Sequence, residues 1–124
     1  MPMDNERGAG RTLTALFADI VCVLVFCTIG RRSHAEGLTV AGIAETAWPF
    51  LAGTAAGWLL IRGWRRPFTV VPTGVAVWIC TVVGGMLLRK ATSAGVQTSF
   101  VVVASIVTAV LLLGWRSVAA LVRR

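Results

Sequence analysis

Charged residues are scarce in this sequence: they make up 14% of it, against 56% hydrophobic residues. Soluble domains carry about a quarter charged residues, and so few charges could not cover a soluble globule of 124 residues. The excess apolar surface therefore needs lipid or a partner protein. The charge that exists is basic, with 12 Lys and Arg against 5 Asp and Glu. Because these basic residues stand singly or in pairs between apolar runs, they resemble topology and lipid-headgroup charges, and we expect no nucleic-acid partner.

Residues that bind metals or perform covalent catalysis are scarce as well. The chain has one histidine, which excludes bis-histidine haem ligation in a monomer, and three cysteines. Cys22 and Cys27 are separated by about 140° around a helix of ~3.6 residues per turn, which is poor geometry for a shared metal. No Cys-x-x-Cys pair, phosphate-binding glycine loop or nucleophile–base pair is found. We therefore expect no enzyme, no metal site and no cofactor.

Long apolar runs dominate what remains. Four of them lie at residues 12–30, 41–62, 69–88 and 98–116. Each is close to the ~20 residues that cross ~30 Å of hydrocarbon as a helix, and none shows the period-two alternation of a strand. Helices also satisfy their own backbone groups in lipid. The sequence thus predicts an all-α, four-helix transmembrane bundle, in which the second run is the weakest span because it contains Glu45 and Pro49.

The segments outside these runs predict the orientation in the membrane. We expect a disordered tail at 1–11, the membrane domain at 12–116 and a basic tail at 117–124. The side that carries both tails and the second loop holds eight basic residues, and the other side holds four. The positive-inside rule therefore predicts that both termini are cytoplasmic.

The tryptophans fit this orientation. Trp58, Trp64 and Trp115 are expected at the cytoplasmic interface, where indole rings prefer to lie among headgroups. Trp78 lies in the middle of the third run, so we expect it to pack between helices.

Asp19 is the candidate for intramembrane chemistry. It follows Arg11 by eight residues, which places it about 12 Å into the membrane, where a charge costs about 2.5–3.5 kcal/mol to insert. With no basic residue expected at its depth, the side chain should face the bundle and bind a hydroxyl group or water. Two interpretations stay open: an intramembrane proton or cation site, and a structural hydrogen bond to a neighbouring helix or a second protomer.

A second polar group, the outer polar cluster, is predicted at the other end of the bundle. Its members are Arg31, His34, Glu45 and Arg89, which the predicted topology places on one side of the membrane. One interpretation is an ion pair of Glu45 that tethers helix ends. The other is a site at which the arginine side chains bind an anion or a lipid headgroup.

Glycines predict close helix packing in the second and third runs. Gly53 and Gly57 form a small-xxx-small pair, and Gly84 and Gly85 offer a second smooth surface. Such residues allow helix backbones to approach, and they predict packed helices without specifying a dimer.

Several short motifs are shared with a known family. They are Asp19, Gly30-Arg31-x-x-His34, Pro49-Phe50, Gly57-Trp58, Gly84-Gly85-Met86, Leu88-Arg89 and Gly114-Trp115-Arg116. Together, over about residues 12–116, they resemble the DUF3054 family of small bacterial membrane proteins. The resemblance implies a multi-pass protein of the bacterial plasma membrane, and it implies no activity, because the family's function is unassigned.

Two functions are compatible with these features. The first is a non-enzymatic accessory or assembly component of a membrane complex, with lipid and other membrane subunits as partners. The alternative is a small homo-oligomeric transporter with Asp19 in its pathway, since four short helices make a thin bundle that would need a second protomer.

Overall fold

The computed structural model describes residues 2–33, 39–92 and 98–122, with side chains from residue 9 to residue 30 in the first range. Within these ranges the chain forms four α-helices: α1 (Pro2–Ser33), α2 (Val40–Ile61), α3 (Val75–Ala91) and α4 (Thr98–Val122). A 3₁₀ turn at Gly63–Arg65 and a π-helical turn at Val70–Gly74 connect α2 to α3. The described residues contain no strand, and the predicted helical bundle is confirmed.

Three segments of the described chain are long and apolar enough to cross a membrane: Ala9–Gly30, Val70–Ala91 and Thr98–Val122. The second helix is not among them, although its 22 residues equal the first two segments in length. Glu45 and Pro49 interrupt the apolar sequence of α2. This result agrees with the prediction that the second run is the weakest span.

Both tails are more helical than predicted. The first helix begins at Pro2, whereas the sequence predicts a disordered tail at 1–11. Proline is tolerated in a first helical turn, where its missing N–H would have no partner, and extending an existing helix costs little once it is nucleated. For the same reason α4 continues to Val122, six residues beyond the predicted end at 116; the segment between contains neither glycine nor proline.

The connection between α2 and α3 has an irregular backbone. The second helix ends where Arg62 adopts a left-handed conformation with φ 52°, which is uncommon for a residue other than glycine. Val71 is extended, with φ −118° and ψ 126°, as expected for a residue that precedes proline. For this reason α3 begins at Val75, six residues later than the predicted start at 69.

The four described helices form a ring in which neighbours in sequence are neighbours in space. The first helix packs against α2 and α4, α3 packs against the same two, and the α2–α3 contact is the most extensive. The predicted packing glycines lie at that contact. A Cβ atom on Gly53 would fall on the carbonyl oxygen of Cys80, and one on Gly84 would approach the Cα of Gly53 to 2.9 Å.

Two apolar clusters fill the interior of the bundle. One surrounds Phe26 and Phe50, whose rings meet edge to face at 5.2 Å, with Phe100 beside them. The other lies near the connection at 62–74 and includes Ala15, Trp58, Val77 and Leu112. We call this second region the α2–α3 end of the bundle. It also contains Asp19 and Arg116, the two buried charged side chains among the described residues.

Candidate functional site

Asp19 is completely buried at the α2–α3 end, where it accepts four hydrogen bonds. Its Oδ1 atom accepts from Nη1 of Arg116 at 2.8 Å and from Nε1 of Trp115 at 2.9 Å. Its Oδ2 atom accepts from Nη2 of Arg116 at 2.8 Å and from Nε1 of Trp58 at 2.8 Å. We call these four residues the Asp19 cluster. Each carboxylate oxygen is bound by one guanidinium N–H and one indole N–H.

Arg116 is also completely buried, and two more of its N–H groups are engaged. Its Nε donates to the carbonyl oxygen of Pro67 at 3.1 Å, and Nη1 also donates to the carbonyl oxygen of Leu112 at 3.3 Å. The guanidinium carbon lies 4.5 Å from the centre of the Trp115 ring, in a cation–π contact. The arginine is therefore paired by charge, stacked on an aromatic face and hydrogen-bonded to backbone, the conditions under which a buried ion pair is tolerated.

The Asp19 cluster joins four separate parts of the described chain. Asp19 comes from α1, Trp58 from α2, Trp115 and Arg116 from α4, and Pro67 from the α2–α3 connection. Among the described residues, no buried side-chain nitrogen or oxygen lacks a hydrogen-bond partner. The cluster thus works as a closed polar crosslink between helices in an apolar surrounding.

The prediction for Asp19 is correct in one respect and wrong in two. Its side chain faces the bundle, as expected. However, a basic residue does lie at its depth, and its partners are Arg116 and two indoles instead of a hydroxyl group or water. Side chains on a helix lean toward its N-terminus. The guanidinium of Arg116 therefore reaches back one turn, to the carbonyl of Leu112, although its Cα lies at the predicted end of the span.

Two of the predicted interface tryptophans point inward. The side chain of Trp58 is 5% exposed and Trp115 is partly buried, because both indoles donate to Asp19. Trp64, by contrast, is 47% exposed. Trp78 packs between α3 and α4, as its position predicted, and donates from Nε1 to the carbonyl oxygen of Ser105 at 3.0 Å.

The outer polar cluster can be followed only in part. His34 and the side chain of Arg31 lie outside the described residues. Glu45 is exposed on α2. Arg89 is half-buried on α3, with its guanidinium carbon 4.7 Å from the centre of the Phe100 ring. This stacking on an aromatic face was not predicted.

A buried hydroxyl pair, also not predicted, lies between α2 and α3. The Oγ1 atoms of Thr54 and Thr81 are 2.7 Å apart. Thr54 donates its own hydroxyl proton to the carbonyl oxygen of Phe50 at 2.9 Å. Thr81 must therefore be the donor between the two threonines, since each hydroxyl group has a single proton to give. The pair adds a second polar crosslink where the packing glycines bring the helices together.

Comparison with known proteins identifies a family. No curated protein and no solved structure matches the chain. One family profile matches residues 16–119, a range that includes all four residues of the Asp19 cluster. The matched range is most of the sequence, and the family is the one that the motifs had indicated. The chain therefore belongs to the family described as "Protein of unknown function (DUF3054)".

Proposed function

We propose that this protein is a non-enzymatic component of a membrane complex, an accessory or assembly subunit that acts through the outer surface of its helices. The observation that carries the proposal is the saturation of Asp19. Both carboxylate oxygens are bound by two donors each, and these donors are fixed in α2 and α4. A carboxylate with no free acceptor position is suited to holding helices together. It is poorly suited to binding and releasing a proton or a cation.

The outer surface of the bundle supports this proposal. Large apolar side chains on α1 and α4 are exposed, among them Phe17 at 69% and Val110 at 65%. Of the three membrane-length segments described, the one in α4 has the smallest share buried inside the bundle. In a membrane these side chains contact either lipid or the helices of another subunit, and packing against another helix is what an accessory subunit requires.

The test is to identify what the protein associates with in its own membrane. The tagged chain is solubilised in a mild detergent and analysed by native gel electrophoresis and mass spectrometry. We expect it to migrate with other membrane subunits in a fixed ratio. In parallel, a photo-crosslinking residue replaces Val110 on α4 and, as a matched control, exposed Leu60 on α2. A specific protein crosslink from α4 that is absent from the control position supports the proposal and names the partner.

The transporter alternative gives a different set of results. In that case the protein migrates alone or as a small homo-oligomer, and purified protein in liposomes shows proton-dependent flux that Asp19→Asn abolishes. If the protein has no partner and shows that flux, our proposal is wrong. We expect no such flux from either the natural chain or the variant.

A further inference from the structure

A small open pocket lies at the α2–α3 end, outside the Asp19 cluster. It is formed between Arg11 on α1 and the connecting residues 64–69, and its volume is about 130 Å³. Sites for drug-sized ligands occupy about 300–1,000 Å³, so this pocket has room for a small chemical group and not for a whole organic ligand.

The charge of the pocket is uniformly positive. Arg11, Arg65 and Arg66 line it, and none of its described lining residues is acidic. All three arginine side chains are exposed. The nearby carboxylate of Asp19 is already bound by Arg116, so it does not neutralise them. Guanidinium groups present a planar fork of N–H donors that matches the oxygen atoms of a phosphate group.

The walls of the pocket are held in place by contacts with the bundle. The carbonyl oxygen of Pro67 accepts a hydrogen bond from buried Arg116, and the Phe68 ring meets the Trp115 ring edge to face at 5.4 Å. The Arg11 guanidinium carbon lies 5.2 Å from the centre of the Phe68 ring. A site whose walls are already ordered loses less entropy when a ligand binds.

We propose that this pocket binds a phosphate group, and that its natural source is the headgroup of an anionic lipid. The pocket lies where the apolar segments Ala9–Gly30 and Val70–Ala91 begin, which is the level of lipid headgroups. Trp64, which lines it, is exposed like an interfacial anchor. Basic clusters directly beside membrane helices are a recurrent means of binding anionic lipids. A free phosphate ester has the same chemistry, and the experiment separates the two sources.

The experiment uses the full-length protein in a neutral detergent, which has no charged surface of its own. Phosphatidylglycerol, cardiolipin or phosphatidylcholine is added, and native mass spectrometry measures the fraction of protein that retains one lipid. Inorganic phosphate and glycerol phosphate are tested separately by thermal unfolding. The variants are Arg66→Gln and Arg65→Gln in the pocket. The matched control is Arg62→Asn, which removes one exposed arginine of the same connection that does not line the pocket; asparagine also tolerates the left-handed backbone there.

We expect the natural chain to retain an anionic lipid in preference to phosphatidylcholine. Each pocket variant should lower that retention roughly fivefold, the change that ~1 kcal/mol per arginine produces, and the control should lower it less than about twofold. A different result is that inorganic phosphate or glycerol phosphate stabilises the natural chain and not the pocket variants. That result would support phosphate binding in the pocket and would identify a free phosphate ester as the ligand. Equal loss in control and pocket variants would show diffuse attraction and overturn the proposal, as would equal retention of phosphatidylcholine.

Discussion

A carboxylate and a guanidinium placed inside an apolar bundle stabilise it only as a pair. Moving either charge from water into a low-dielectric interior is costly, and the mutual attraction offsets that cost only with good geometry and full hydrogen bonding. Asp19 and Arg116 have good geometry, with two parallel bonds of 2.8 Å, and both make further bonds to indole or backbone groups. The stability of the α2–α3 end should therefore depend on both residues together.

The first prediction concerns this coupling. Asp19→Asn leaves the charge of Arg116 buried without a counter-charge, and we expect a loss of about 3–5 kcal/mol in the free energy of unfolding. The double variant Asp19→Asn with Arg116→Met removes both charges, keeps an oxygen that accepts from the indole N–H groups, and should recover part of that loss. The free energy of unfolding is measured in mixed detergent micelles for the natural chain, both single variants and the double variant. The differences between these values give the coupling energy. A value below about 0.5 kcal/mol, as for independent sites, would contradict the prediction.

The second prediction concerns the indole donors. Trp58→Phe keeps the aromatic ring but removes the N–H group that donates to Oδ2 of Asp19. A hydrogen bond to a charged group contributes about 1.5–3 kcal/mol, so the variant should lose stability in that range. Trp48→Phe is the control on the same helix, where the side chain is 45% exposed, and it should change stability by less than about 0.5 kcal/mol. Equal effects at the two positions would mean that the indole bond contributes nothing.

The sequence identified half of this site. Asp19 stands out because an acid in a long apolar run is costly, and that argument needs no structure. The position of its Cα alone predicts that Arg116 lies at the membrane surface, whereas its guanidinium lies one turn deeper. Trp58 and Trp115 are predicted to face the headgroups, whereas both indoles turn into the bundle toward Asp19, since depth alone does not determine which way a ring points. Pro67 contributes only a backbone oxygen, which leaves no signal in a sequence.

The helices themselves were predicted more fully than their ends. Apolar length determines that a segment spans a membrane, and all four predicted runs correspond to described helices. The ends depend on local backbone chemistry that hydropathy does not report. The delayed start of α3 follows from the extended residue before Pro72, and the extension of α4 follows from the absence of a helix-breaking residue after Arg116.

The pairing of α2 with α3 yields the third prediction. Gly53→Ala would drive a methyl group into the backbone of α3 at Cys80 and Thr81, and overpacking of this kind costs about 1–3 kcal/mol. Gly114→Ala on α4 is the control, because an added Cβ there meets nothing within 4 Å. It should be neutral or stabilising by up to about 1 kcal/mol through helix propensity. The unfolding free energies of both variants are measured in the same micelles. A Gly53 variant as stable as the control would show that α2 and α3 can move apart without a loss of stability.

The whole molecule must also be oriented, and this depends on whether α2 crosses the membrane. Burial of Arg116 against Asp19 removes one charge from the side predicted to be cytoplasmic, which leaves seven basic residues there against four on the other side. The positive-inside rule therefore predicts the same orientation when Arg116 is left out of the count. If α2 crosses, the number of spans is even and both termini lie on one side. If it does not, three spans place the termini on opposite sides.

The last prediction concerns whether α2 crosses the membrane, and it is tested with green fluorescent protein and alkaline phosphatase fused to each end. We expect green fluorescence and no alkaline phosphatase activity from fusions at either terminus, because both should lie in the cytoplasm. Fusions within the predicted first and third loops should give the reverse result and serve as internal controls. Phosphatase activity at one terminus alone would mean that α2 lies within the bundle without crossing. Removing the positive charges of Arg65 and Arg66 should weaken the orientation, since these exposed residues supply two of the three charges by which the predicted cytoplasmic side exceeds the other.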